Sequence, residues 1–235
     1  MKTASATKTP RSFLAHTAAL LAVLILSCAP SAHADTYSIS IDTSTLPSGD
    51  QFEYFLDLQF NPGQLPGTQL AYADASVPTC CINYGFSLTG DVSDGFGGGP
   101  TDISFDNQTP YNDAFGSIYL PSAGVPITFT VGLSGPAVDS PNGTSLSGST
   151  FAISLFDDNM APILTANPDG FLGLLNLNTN GTVTTQTFLD ATGGPSAITI
   201  TDLTPPPAVP EPSTLVLLAT GLTGTLTLVR RRLRS

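Results

Sequence analysis

The chain has 235 residues, with seven Lys or Arg against 18 Asp or Glu, two His and a formal net charge of −11. Its basic residues are Lys2, Lys8, Arg11, Arg230, Arg231, Arg232 and Arg234, and both histidines, His16 and His33, precede Asp35. The stretch from Asp35 to Val209 therefore holds 17 acidic residues and no Lys, Arg or His. This excludes nucleic-acid binding through cationic side chains, internal salt bridges, and any nucleophile that needs a His or Lys base.

Residues 1–34 have three parts. Lys2, Lys8 and Arg11 form a basic region, Phe13 to Leu26 is largely apolar, and Pro30 then breaks the helix. Ala32-His33-Ala34 supplies small residues at the −3 and −1 positions of a cleavage site. The pattern predicts a secretory signal helix removed before Asp35. Two alternatives stay open: a retained anchor helix, and lipidation at Cys28, where Ile25-Leu26-Ser27-Cys28 forms a loose lipoprotein box with a poorly fitting Leu at −2.

Residues 35–204 read as one all-β domain. Tyr37, Ile39 and Ile41 alternate with serines. Phe52, Tyr54, Leu56, Leu58 and Phe60 alternate with Glu53, Phe55, Asp57 and Gln59. The same period of two runs through Tyr84 to Leu88, Ile127 to Leu133 and Phe151 to Leu155. Val183 to Phe188 and Ile198 to Leu203 are Thr-rich strand candidates. Gly, Pro and Asn punctuate these runs, and Asn178-Thr179-Asn180-Gly181 has the composition of a hairpin turn. Short strands at this spacing predict a two-sheet, jelly-roll-like sandwich. No internal repeat or second domain boundary appears.

Little in this domain can carry chemistry. Cys80 and Cys81 are adjacent and cannot enclose a zinc ion alone. Three readings of them stay open: a vicinal disulfide after Pro78, an intermolecular bridge, or two reduced thiols. Glu53 and Asp57 share one strand face and are the only pair considered for carboxylate-only glycoside hydrolysis, but the alternation reads them as a solvent face. Calcium, which takes oxygen ligands, suits the acid clusters Asp91/Asp94, Asp102/Asp106 and Asp157-Asp158-Asn159. These read as solvated turns, so no cofactor or metal is expected and calcium should leave the melting temperature unchanged. For sugar binding the chain has no Trp, and Tyr72, Tyr111 and Tyr119 are the tyrosines free of core-like positions.

The tail has its own composition. Residues 205–212 are a Pro-rich linker ending in Pro210-Glu211-Pro212, stiff and unable to join a sheet. Residues 213–229 are uncharged; as a helix they span about 26 Å against a bilayer core of about 30 Å, which just suffices. Residues 230–235 carry Arg230, Arg231, Arg232 and Arg234, which predicts a cytoplasmic chain end with the domain outside. A weakly hydrophobic transmembrane helix is the expectation, and a buried core helix the alternative.

The Pro-Glu-Pro triad, the short Leu/Gly/Thr helix and the terminal Arg cluster, in that order, resemble the PEP-CTERM sorting signal. The resemblance implies a Gram-negative bacterium that makes exopolysaccharide. It also implies processing by an exosortase, a membrane-embedded cysteine transpeptidase-like enzyme that removes the tail near the motif. Pro210, Glu211 and Pro212 would be its recognition residues and Arg230, Arg231 and Arg232 the cytoplasmic stop. The strands opening at Tyr37, Phe52 and Phe151 are similar, more loosely, to a group of small PEP-CTERM proteins of unknown function, and this likeness supplies no site residues. Together these features predict an inner-membrane intermediate that ends at the cell surface or in the extracellular matrix, a non-enzymatic protein. A carbohydrate-binding module for exopolysaccharide is the alternative, and a carboxylate-dependent glycosidase a remote one.

Overall fold

The computed structural model describes residues 34–49, 52–63, 69–77, 82–95, 101–120, 122, 124–142 and 148–204. The segment up to His33 that is predicted to be a signal, with Ala32, lies outside the described residues, as do Cys80, Cys81 and everything from residue 205 onward. Ala34 is described: it is exposed and directly precedes the first strand.

Among the described residues, twelve strands form two six-stranded antiparallel sheets. The first runs in the order β12 (Ile198–Asp202), β1 (Asp35–Ile41), β8 (Ile127–Ser134), β3 (Tyr72–Val77), β6 (Thr101–Asp106) and β5 (Val92–Asp94). The second runs β11 (Val183–Thr187), β10 (Phe171–Leu177), β9 (Ser149–Phe156), β2 (Tyr54–Asn61), β7 (Asp113–Ile118) and β4 (Ile82–Thr89). From β1 to β5 and again from β6 to β9 successive strands alternate between the sheets, giving β1-β8-β3-β6 in one and β2-β7-β4 in the other. This is the two-sheet winding of a jelly roll.

Period-two alternation builds the core between the sheets. Tyr37, Ile39 and Ile41 face Val131, Phe129 and Ile127 across the first sheet, and all six are buried. Leu56, Leu58 and Phe60 face Leu155, Ile153 and Phe151 across the second, all fully buried. Phe151 of the second sheet meets Phe105 of the first edge to face, with centroids 5.6 Å apart and planes at 89°. Gly173 on β10 sits beneath Ile198 and Ile200 of β12, so the sandwich also closes along this side.

The hairpin at Asn178 forms as its composition predicts. The Asn178 N–H donates to the Thr182 carbonyl at 2.8 Å, and Gly181 takes the positive φ of 81°. The alternation missed β3, β5, β6, β7 and β10. In β3 the inward residues are mostly alanines, and β10 carries a bulge between Phe171 and Gly173 that breaks the period. One short helix, α1 (Pro136–Asp139), follows β8. Among the described residues no helix is long and apolar enough to cross a membrane; residues 213–229 lie outside them.

Candidate carboxyl pair on the outer face of the second sheet

The two outward faces differ in chemistry. Across the first sheet, register lines up Thr201, Ser38, Thr130, Ser76 and Asp102 in one row. Thr201, Thr130 and Asp102 are exposed and the serines half-buried, so this is a hydrated hydroxyl and carboxylate surface. The second sheet instead turns Phe55, Phe115 and Phe156 outward, each half-buried. Phe55 stacks on Phe115 with centroids 5.2 Å apart and planes within 9°, and Phe156 follows at 6.2 Å from Phe115.

Beside this aromatic strip lies a line of polar side chains. Asp57 stands opposite Phe115 on one side and Ser154 on the other, and Gln59 stands opposite Asp113. Asp57 and Asp113 are therefore diagonal neighbours on one face of the β2–β7 pair, within reach of one another. The Gln59 Nε2 donates to Asp57 Oδ2 at 2.9 Å, and Asn61 Nδ2 donates to Gln59 Oε1 at 3.2 Å. Asn61 Oδ1 in turn accepts the Asn112 N–H at 2.8 Å.

The line is anchored at its far end by Asn112, which is fully buried. Its Nδ2 donates to the Phe60 carbonyl at 2.9 Å and the Thr109 carbonyl at 3.0 Å. Its Oδ1 accepts the Asp91 N–H at 2.8 Å and the Thr109 hydroxyl. The turn before β7 is thereby fixed to β2 and to the start of β5, and this sets where Asp113 points.

Asp57 is only 6% exposed, although its alternation reads as a solvent-facing position. Its outward direction agrees with the pattern; its hydration does not, because neighbouring side chains on β2, β7 and β9 cover it. Its Oδ1 and that of Asp113 are buried and receive no N–H or hydroxyl donor. Burial next to a second carboxyl group disfavours charge on Asp57. Burial first, then the hydrogen bond and charge of Asp113, push the Asp57 pKa up from 3.8 to about 8, against a lowering contribution from Gln59. Tyr111, two residues before Asp113 and 49% exposed, has its pKa raised by burial and then by the charges of Asp113 and Asp57.

The carboxylate pair considered for hydrolysis does not assemble. Glu53 accepts the Ser117 hydroxyl at 2.6 Å, and four residues of strand separate it from Asp57 by about 13 Å. That exceeds both the roughly 6.5–9.5 Å of an inverting glycosidase and the roughly 5–5.5 Å of a retaining one. Two of the acid clusters that suit calcium hold their own turns. Asp157 Oδ1 accepts the N–H groups of Asn159 and Ala161, both at 2.9 Å, and Asp106 Oδ1 accepts that of Gln108 at 2.9 Å. Asp91, Asp94 and Asp102 are exposed. Among the described residues no three His, Cys, Asp or Glu gather as a metal-holding group. Tyr72 lies exposed on the first sheet and Tyr111 beside the second, so they form no common platform; Tyr119 is half-buried.

The delivery signal lies elsewhere in the chain. Residues 208–232 match the family model of the PEP-CTERM protein-sorting motif. The C-terminal tail carries a PEP-CTERM motif. The match takes in Pro210, Glu211, Pro212 and the arginines Arg230, Arg231 and Arg232, which all lie outside the described residues. No curated protein and no solved structure matches the chain. The PEP-CTERM match thus covers the tail alone and does not extend to the sandwich.

Sequence reasoning missed Asp113 as a site residue because it did not identify β7. Its available signal is Phe55, a large apolar residue at an outward position between Glu53 and Asp57. An outward Phe shows that this face is covered to some depth, which changes how the carboxylate beside it is read.

Proposed function

We propose that this chain is an exported, non-enzymatic protein of the cell surface or extracellular matrix. The N-terminal signal takes it to the membrane, the segment 213–229 holds it there, and an exosortase processes it at Pro210-Glu211-Pro212. The carrying observation is the match of residues 208–232 to the PEP-CTERM sorting motif. The charge distribution supports it, since every basic residue belongs to one of the two terminal signals. The lack of His, Lys and Arg between Asp35 and Val209 supports a role without catalysis. Replacing Pro210, Glu211 and Pro212 together by Ala tests the route. The variant should accumulate unprocessed in the membrane fraction; normal release of the variant would contradict it.

A second reading, a carbohydrate-binding module for exopolysaccharide, is favoured by one feature. The outer face of the second sheet sets Phe55, Phe115 and Phe156 beside the amides and carboxyls of Gln59, Asn61, Asp57 and Asp113. Aromatic faces flanked by polar groups are what a sugar ring, with apolar faces and a hydroxyl rim, requires. Co-sedimentation with the host's own polysaccharide tests this reading. Binding should weaken at least tenfold in Phe115→Ala, whereas equal binding by both proteins would place the contact elsewhere.

A further inference from the structure

We propose that the open edge of β11 pairs antiparallel with the same edge of a second copy of this chain, joining the second sheets of the two copies into one. The first sheet ends in β12 and β5, the second in β11 and β4. An edge strand offers unpaired N–H and C=O groups to any other strand, and is ordinarily blunted by shortness, charge, proline or a bulge. The other edges are blunted in this way. β5 has 3 residues and carries Asp94, with Asp91 just before it. β12 ends in Asp202. β4 is bulged between Ile82 and Phe86. β11 reads Val183-Thr184-Thr185-Gln186-Thr187, with no charge, no proline and no register shift against β10.

Hydrogen bonding to β10 fixes which backbone groups are left over. The Phe188 N–H donates to the Leu172 carbonyl at 3.0 Å, and the Thr182 carbonyl accepts the Asn178 N–H at 2.8 Å. In an antiparallel pair the bonding residues alternate, so Thr184 and Gln186 also turn their backbone groups to β10. Val183, Thr185 and Thr187 turn theirs to the open edge, and Thr184 to Thr187 are all exposed. Among the described residues no strand lies on that side.

Charge and register select the occupant. The 17 acidic residues between Asp35 and Val209 make two copies repel one another, but no charged residue falls between Gly170 and Leu189. At β11 two such domains approach with no carboxylate facing another. The strand is also self-complementary. A two-fold axis at Thr185 sets Thr185 against itself, Val183 against Thr187 and Thr184 against Gln186, so every outward N–H meets a carbonyl. Cross-strand pairs of β-branched and hydroxyl side chains favour such pairing. The axis closes the contact at two copies. Paired strands of 5 residues bury less than a standard interface, so the dimer depends on concentration, and salt strengthens it by screening the repulsion.

Sedimentation velocity of the protein purified from host cells tests this, over a concentration series at low and high sodium chloride, with reductant to exclude cysteine bridges. The expected result is a monomer–dimer equilibrium that shifts toward dimer as salt rises, with slowed amide exchange at Val183, Thr185 and Thr187 in the dimer. Thr185→Pro removes an N–H that β10 does not use, a change tolerated on an edge strand, and should weaken the dimer about tenfold or more. Thr185→Asp, which sets two carboxylates on the axis, should do the same. Thr128→Asp, on the outer face of the first sheet, should leave the dimer unchanged. A monomer under every condition, species larger than a dimer, association weakened by salt, equal association by either folded Thr185 variant, or equal weakening by Thr128→Asp would each overturn the proposal. So would protection of the β11 amides that appears only when host-cell extract is added, which would give this edge another occupant. Should Thr185→Pro fail to fold, Thr185→Asp and the amide exchange of the unmodified protein decide.

Discussion

Asp57 on β2 and Asp113 on β7 lie diagonally across one strand pair, and each buries an Oδ1 atom that no N–H or hydroxyl donor satisfies. Burial beside Asp113 favours the protonated form of Asp57, which makes the outer face of the second sheet dependent on pH. The first sheet, whose outer face is hydrated Ser, Thr and Asp, has no counterpart among the described residues.

The sign of that dependence follows from the direction of the shift. Asp57 binds its proton more tightly folded than unfolded, with a pKa raised from 3.8 to about 8. Its stabilising contribution is complete below about pH 4 and is lost as pH rises through about 8, at no more than about 1.4 kcal/mol per pH unit. Asp42 and Asp190, lowered by hydrogen bonds from Ser44 and Thr192, work in the opposite sense and only at the acid end. The melting temperature should therefore fall between pH 5 and pH 8 and level off above. Asp57→Asn should flatten that slope. A wild-type profile equally flat from pH 5 to pH 8 would contradict the raised pKa of Asp57.

Phe151 ties the two sheets together. It is fully buried and meets Phe105 across the sandwich and Phe60 within its own sheet. Phe151→Ala should cost about 3–5 kcal/mol, read as a lower urea midpoint. Tyr111→Ala, an exposed position outside the core, should move that midpoint little.

Asn112 fixes the turn that delivers Asp113. Removing its side chain leaves the Asp91 N–H and the Phe60 carbonyl without that partner. Asn112→Ala should cost about 3 kcal/mol. It should also change the amide exchange of Asp113 and Phe115 before that of β1 and β8. Uniform exchange changes across both sheets would show that Asn112 acts on global stability alone.

The sandwich is legible where large inward residues keep strict alternation, as in β1, β2, β8 and β9. It is obscured where inward residues are small, as with Ala71, Ala73 and Ala75 leading through β3, or where the large residue points outward, as Phe115 does in β7. In β7 the inward residues Ala114 and Gly116 leave room for a neighbour: a side chain at Gly116 would meet the Phe86 ring at 2.6 Å. Period alone does not express that fit. The carboxyl pair is hidden for a related reason. Asp57 has the spacing of a solvent-facing residue, and its burial depends on β7 and β9, which lie about 60 and 100 residues further along the chain. The sorting tail, by contrast, is a contiguous motif and needs no tertiary partner to be read.

Export and release of the domain depend on the tail acting as a processing signal. Intact-mass analysis of the mature protein, from host cells with and without their exosortase, tests this directly. The prediction is a chain that starts at Asp35 and ends near Pro210 to Pro212 when the enzyme is present, and retains Arg230 to Ser235 when it is absent. A chain ending at Ser235 in both cell types would contradict it.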